Sequence, residues 1–263
     1  MAVDLYLPQS RPQAVVIYLH GINGFKDWGG VPLLLQELAG KGFAIVNFNF
    51  SHNGTVPAHP TTFKDLPAYG DDSYLRRQYD LAQVDAFLVQ QGAAYGLEHL
   101  PLYLIGHSRG GVDALLYAAQ HESVSKLVTW SAPDHAQTPW KSWDADTLKE
   151  WRREGVIYRP NGRTQQDMPI HYSLYEEFQQ HPTLLDVEGQ ARNLDIPWLV
   201  AHGEEDEAVF VKAAYNFKEW NPSAQISIIP GTGHTYDRKH PWEDEELPEA
   251  SKAVLDRTVE FLK

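Results

Sequence analysis

The chain of 263 residues contains no cysteine. Disulfides, thiolate metal sites and a cysteine nucleophile are thereby excluded, leaving serine, threonine or aspartate for any nucleophilic chemistry. No apolar run approaches the roughly 18 residues needed to cross a bilayer. The start, Met1-Ala2-Val3-Asp4-Leu5-Tyr6, has neither a basic nor an apolar targeting region, so cytoplasmic residence without a membrane partner is the expectation. Basic residues are also scarce, 22 against 35 acidic ones, for a formal charge of -13. Such a balance repels phosphate backbones and anionic surfaces, and no nucleic-acid partner is expected. Part of it is local, in Trp242-Glu243-Asp244-Glu245-Glu246, which reads as a solvated loop before the last helix. No histidine pair has the i, i+4 spacing with an intervening glutamate that suggests zinc, and no metal is expected.

What is present is ordinary in bulk: 43% hydrophobic and 22% charged residues, which excludes disordered and fibrous classes. A chain of this length accommodates one α/β domain. Short apolar and β-branched runs alternate with helical patterns, the signature of a mostly parallel sheet with helices on both faces. The runs 14–19, 43–50, 101–105, 126–130, 197–202 and 226–229 predict strands, with a weaker one near 3–7. Segments 31–39, 74–91, 110–119, 209–220 and 248–262 predict helices. In 74–91 the residues Leu75, Tyr79, Ala82, Ala86 and Val89 recur at helical spacing and predict its core face. Between about 134 and 193 the alternation stops for some sixty residues, too long for an ordinary connection. Helical patterns at 145–154 and 172–180, flanking 156–168 with Asn161-Gly162 suited to a type I′ turn, predict a small cap inserted in a single domain.

The chemistry concentrates at strand ends. Gly106-His107-Ser108-Arg109-Gly110 follows the apolar strand Leu102-Tyr103-Leu104-Ile105 and runs into a helix. That strand, sharp turn and helix are the setting a nucleophilic serine requires. A serine hydroxyl is a poor nucleophile at neutral pH, so it needs a histidine to take its proton and an acid to orient that histidine. His234, in Pro230-Gly231-Thr232-Gly233-His234, follows the last strand, and Asp206, in His202-Gly203-Glu204-Glu205-Asp206, follows the one before it. Glu204, Glu205, Glu207 and Asp237 are neighbouring acids that compete with Asp206 for the assignment. After the first long strand, His20-Gly21-Ile22-Asn23-Gly24 forms an H-G-x-x-G turn, and the backbone N–H groups of Ile22 and Arg109 are the candidate oxyanion donors. The third glycine of a dinucleotide-binding turn is absent.

On these residues, with Gly111 and Val209 added, the chain resembles the α/β-hydrolase superfamily, and more narrowly the dienelactone-hydrolase-like and prolyl-oligopeptidase-like serine esterases and acyl hydrolases. The resemblance covers nearly the whole chain. It implies an α/β-hydrolase fold, a core of about eight strands, and a Ser108, Asp206, His234 triad in the chain order of that fold, needing no metal or organic cofactor. Dienelactone hydrolases use a cysteine that this chain lacks, and dehalogenases and epoxide hydrolases need aspartate where Ser108 stands. Carboxylic ester hydrolysis through an acyl-enzyme is the expected reaction, with a small-molecule ester or related acyl compound as partner. Thioester or amide hydrolysis on the same triad, and non-catalytic small-molecule binding, are the alternatives.

Weaker features surround this set. Trp130, Trp140, Trp143 and Trp151 lie at one strand end and in the cap, where they either line an acyl or aryl pocket or form the cap's own core. Asn53, with His52 and His59, follows a core strand and is a pocket candidate. Beyond its backbone role, the Arg109 side chain reads first as a structural arginine holding the cap or the loop at Lys26 and Asp27, with a contact to an acidic substrate beside the nucleophile as the alternative. No pattern bears on oligomeric state.

Overall fold

Apolar strands bury both faces only if helices cover both sides of the sheet, and this is the arrangement in the computed structural model, which describes residues 1–263. In chain order the strands are β1 (Val3–Tyr6), β2 (Val15–Leu19), β3 (Ala44–Phe48), β4 (Thr55–Val56), β5 (His59–Phe63), β6 (Leu102–His107), β7 (Val124–Trp130), β8 (Val156–Asn161), β9 (Gln166–His171), β10 (Trp198–Gly203) and β11 (Gln225–Ile229). The α-helices are α1 (Val31–Gly40), α2 (Leu66–Gly70), α3 (Tyr74–Gln91), α4 (Arg109–Ala118), α5 (Ala145–Glu154), α6 (Ser173–Gln180), α7 (Val187–Asn193), α8 (Lys212–Trp220) and α9 (Glu249–Leu262).

Seven strands form the main sheet in the order β1-β3-β2-β6-β7-β10-β11, one fewer than the eight implied by the resemblance. Only β1 is antiparallel. Alternation along the strands divides the core. Val15, Ile17 and Leu19 of β2 face a layer built with α3, α4, α7 and α8, whereas Val16 and Tyr18 face α1 and α9. All strands but β1 run parallel, so their carboxyl ends share one edge, where the turns carrying Ser108, Asp206 and His234 emerge.

Three local expectations are corrected. Helix α3 buries Tyr74, Arg77, Asp80, Leu81 and Val84, while Tyr79 and Val89 are 65% and 81% exposed. Its inward face carries a paired arginine and an aspartate, which an apolar stripe cannot reveal. The β8–β9 hairpin pairs Asn161 with Gln166 across a four-residue loop, not a two-residue type I′ turn. There Asn161 Oδ1 accepts from the N–H groups of Arg163 and Thr164, the Asx-type closure that asparagine favours. The insertion between β7 and β10 holds α5, the hairpin and α6, but α7 lies outside the cap: Val187 and Ala191 pack in the large core. A short β4–β5 hairpin and α2 also follow β3, on a polar stretch without helical or strand periodicity. No helix is long and apolar enough to cross a membrane.

Candidate active site

Ser108 stands between β6 and α4 with φ 56° and ψ -129°, a backbone conformation that costs a non-glycine residue on the order of 1–3 kcal/mol. The turn is over-determined by its surroundings. The Ser108 N–H donates to the Trp130 carbonyl at 2.8 Å, and the Gly111 N–H donates to the Ser108 carbonyl at 2.8 Å. A Cβ on Gly110 would collide with the Leu19 carbonyl oxygen, so only glycine lets the elbow sit against β2. Arg109 is the first residue of α4, and its N–H has no acceptor within the protein.

The turn after β2 abuts this elbow. A Cβ on Gly21 would lie 2.9 Å from Ser108 Cβ and 3.3 Å from its Oγ, so the turn can approach the hydroxyl only without a side chain. The Ile22 N–H, like that of Arg109, has no acceptor in the protein. His20 anchors the turn: Nδ1 donates to the Gly21 carbonyl at 2.9 Å, leaving Nε2 to accept from Asn53 Nδ2 at 3.4 Å. Burial, reinforced by the nearby Arg77 charge, pushes the His20 imidazole down to about 3, so it stays neutral in this role.

Asp206 and His234 meet over the elbow. His234 Nδ1 donates to Asp206 Oδ2 at 2.8 Å, while Asp206 Oδ1 accepts from the N–H groups of Ala208 and Val209 at 2.9 and 2.8 Å. Burial alone would raise the Asp206 carboxyl, but hydrogen bonds from His202 and His234, the His234 charge and the Val209 N–H hold it well below the usual carboxylate range. His107 Nε2 donates to the His234 carbonyl at 2.8 Å, fixing the backbone that carries the imidazole. Burial drives His107 well below its ordinary value, with the His234 charge adding to it, so His107 does not compete for the proton. Of the competing acids, Asp237 Oδ1 accepts instead from Thr232 Oγ1 at 2.6 Å, and Glu204, Glu205 and Glu207 are exposed.

Ser108 and His234 open into one cavity of about 1020 Å³, whose wall includes Ile22, Phe25, Trp28 and Phe210. None of the four sequence-selected tryptophans lines it. Trp130 is fully buried between Tyr18 and Tyr236 and donates Nε1–H to Thr258 Oγ1 at 3.0 Å. Trp140, Trp143 and Trp151 pack on one another in the cap, where Trp151 Nε1 donates to the Ile170 carbonyl at 2.7 Å. A small cap needs a core of its own, and these rings supply it. Asn53 is likewise absent from the wall: it is buried behind the turn, donating to the Gly24 carbonyl at 3.3 Å as well as to His20. His52 points outward and bonds Ser51 and Arg76. The aromatic residues that do face the cavity from the turn side, Phe25 and Trp28, had no strand-end signal to mark them.

A family model described as the alpha/beta hydrolase fold matches residues 14–159, more than half of the chain. The chain belongs to the α/β-hydrolase family. The 2-succinyl-6-hydroxy-2,4-cyclohexadiene-1-carboxylate synthase of Enterobacter sp. (strain 638) is 23% identical over 256 residues, covering 86% of each chain. Among solved structures, this α/β-hydrolase is similar to Est1E from Butyrivibrio proteoclasticus with bound ferulic acid, at 19% identity and a TM-score of 0.69 over 99% of this chain and 93% of that one. It is also similar to the monoacylglycerol lipase of Paleococcus ferrophilus, at 17% identity and a TM-score of 0.68 over 99% of this chain and 97% of that one. At these identities the likeness is one of fold.

Beneath the elbow this α/β-hydrolase buries an ionic network that the sequence pattern did not disclose. Arg77 donates Nε and Nη2 to the two Asp72 oxygens at 2.8 and 2.6 Å, and Nη1 to the His20 carbonyl and to Asp113 Oδ2, both at 3.1 Å. The Arg109 side chain joins it, with Nη2 donating to the Asp72 carbonyl at 2.7 Å and its guanidinium over the Tyr74 ring. The Arg109 side chain is thus paired inside the protein, with Asp72 and not with the loop at Lys26 and Asp27, where Lys26 pairs with Asp4 and Asp27. One network therefore grips the turn after β2 through His20 and the elbow through Arg109.

The two acids of the network differ. Burial raises both, but Asp72 lies between two guanidinium groups and ends below its ordinary value. In Asp113 burial wins over Arg77 and Arg109, and the carboxyl is pushed up to about 6, with Oδ1 unpartnered. A carboxyl raised on folding favours the folded state below its unfolded value, near 4, and loses that contribution as pH rises through 6. Asp113→Asn keeps an acceptor for Arg77 without a charge to desolvate. Thermal melts at pH 8 are therefore expected to show a Tm equal to or above that of the unaltered protein, and a fall of 10 °C would contradict this reading.

Proposed function

We propose that this protein hydrolyses carboxylic esters through a Ser108, His234, Asp206 triad and an acyl-enzyme intermediate. The observation that carries the reading is the His234 Nδ1–Asp206 Oδ2 bond of 2.8 Å behind a cavity whose wall holds both His234 and Ser108 on its strained elbow. With Nδ1–H held by Asp206, the proton-free Nε2 is the base that takes the Ser108 proton as Oγ attacks the acyl carbon. The Ile22 and Arg109 N–H groups, without protein acceptors, then donate to the oxygen that becomes negative. His234 returns its proton to the departing alkoxide, and a water activated by the same imidazole releases the acid. Each step is carried by side chains and backbone of this chain, and none calls for a metal or organic cofactor.

The apolar side chains of Phe25, Trp28 and Phe210 on the cavity wall suit an ester with an acyl or aryl group of some size. A series of p-nitrophenyl esters of graded acyl length, run with parallel thioesters and anilides, tests the reaction class. Turnover of esters that falls on the order of 10⁵-fold or more in Ser108→Ala is expected. Retention of turnover in Ser108→Ala, or faster thioester or anilide cleavage than ester cleavage, would overturn the proposal.

A further inference from the structure

Four lysine and arginine side chains are buried in this protein: Lys26, Arg77, Arg109 and Arg238. Buried cations are costly unless paired, and three of these obey the rule. Lys26 pairs with Asp4 and Asp27, Arg77 with Asp72 and Asp113, and Arg109 with Asp72. Arg238, 3% exposed, has no carboxylate partner. Its Nε donates to the Thr235 carbonyl at 3.0 Å, and its Nη1 has no acceptor at all. Burial lowers it, and only the phenols of Tyr18 and Tyr236 act in the other direction. A guanidinium does not escape this cost by giving up its proton.

Arg238 lines the same cavity as Ser108 and His234. The rest of the wall has the same sign. Arg163, at the tip of the β8–β9 hairpin, also lacks a carboxylate: Nη2 donates to the Asn23 carbonyl at 2.9 Å, and the guanidinium lies 5.8 Å from the Phe25 and Trp28 ring centres. Lys141 and Lys212 contribute two further cations. Against these four stand two acids: Asp134 pairs with Lys141 and also accepts from Asn216, and Glu207 is exposed as Lys212 is, so the positive excess rests on Arg163 and Arg238. In a chain of net charge -13, the cavity around the serine is locally positive.

We propose that Arg238 anchors an anion subsite in this cavity, so that the substrates are esters bearing a carboxylate away from the scissile bond. The proposal rests on the hydrolase reading above and names its substrate class. One guanidinium at the wall suits the single charge of a carboxylate, whereas a phosphate dianion calls for more donors than the one buried cation supplies. The carboxylate would pair with the guanidinium where it meets the cavity wall and supply the counter-charge that folding leaves out.

The test compares charged and neutral partners of equal shape. In one series the carboxylate is on the acyl side, as phenyl hemiesters of succinate and glutarate against their methyl-capped diesters. In the other it is on the leaving group, as acetyl esters of hydroxybenzoates against those of hydroxybenzamides. A charge-assisted bond of this kind predicts a kcat/KM preference of about tenfold to hundredfold for the carboxylate in one series. Arg238→Met should collapse that ratio, and Arg238→Lys should retain part of it. Equal rates on charged and neutral esters in both series would overturn the proposal. So would an Arg238→Met that lowers both rates by one factor and leaves the ratio intact, as a purely structural arginine would. If neither series is turned over and a fluorophosphonate does not label the protein, it is the hydrolase reading that has failed. The anion site is then decided by calorimetric titration with glutarate, where saturable binding weakened in both variants supports it and absence of binding to the unaltered protein overturns it.

Discussion

Asp206→Asn is expected to lower kcat for ester hydrolysis on the order of 10⁴-fold at neutral pH while leaving the fold in place. The substitution divides the two jobs of the carboxylate. Oδ1 accepts from the N–H groups of Ala208 and Val209, and an asparagine carbonyl oxygen can keep both, so the turn after β10 survives. Oδ2 accepts from His234 Nδ1 at 2.8 Å, and there the amide presents hydrogens instead of a lone pair. The imidazole must then accept at Nδ1 and carry its proton on Nε2, the atom that has to be free to take the Ser108 proton. The negative charge that steadies the imidazolium is lost as well. Steady-state kinetics with circular dichroism as the fold control checks this, and a kcat within tenfold of the unaltered protein would contradict it.

Asp72→Asn should cost about 3–5 kcal/mol of unfolding free energy, the largest stability effect expected of any single substitution at the site. Asp72 is almost wholly buried and receives Arg77 in a two-point bond as well as Arg109 at 3.4 Å. Removing its charge leaves two guanidinium groups in the interior with only Asp113 for compensation. The pH dependence has a definite sign. The Asp72 carboxyl is lowered on folding, so its stabilising contribution is present above the ordinary carboxylate range and is lost as pH falls through it. Denaturant melts at pH 7 are expected to show the full loss, and the difference between variant and unaltered protein should shrink toward pH 3. A loss under 1 kcal/mol at pH 7 would mean that the network contributes little. Because Arg77 also holds the His20 carbonyl, the surviving folded fraction should show a reduced kcat.

The contrast between these two acids shows what a chain of residues discloses. Asp206 was legible because it follows a strand of a parallel sheet, and the carboxyl ends of such strands converge by geometry alone. Ser108 was legible because Gly106 and Gly110 flank it between an apolar strand and a helix, and close packing leaves no other residue room there. Asp72 follows no strand and belongs to no periodic stripe. Its partner Arg77 sits on the inward face of α3, where a search for apolar repeats selected Leu75, Tyr79 and Val89 instead. A pairwise rule would have been needed, since a buried charge becomes plausible only when its counter-charge is known to be near. Which of the two readings of the tryptophans holds was illegible for a related reason. Their number in the cap marks where apolar area is buried, but not which surface of the cap turns toward Ser108, and the rings of Trp140, Trp143 and Trp151 pack together away from it.

Ser108 as a nucleophile activated by His234, in the cavity at the carboxyl edge of the sheet, is open to a chemical test. Incubation with a fluorophosphonate, followed by proteolysis and mass spectrometry, tests it most directly. One adduct per chain is expected, on the peptide containing Ser108, formed far more slowly in Asp206→Asn and not at all in Ser108→Ala. An adduct on another residue, or no adduct on a folded protein, would contradict it.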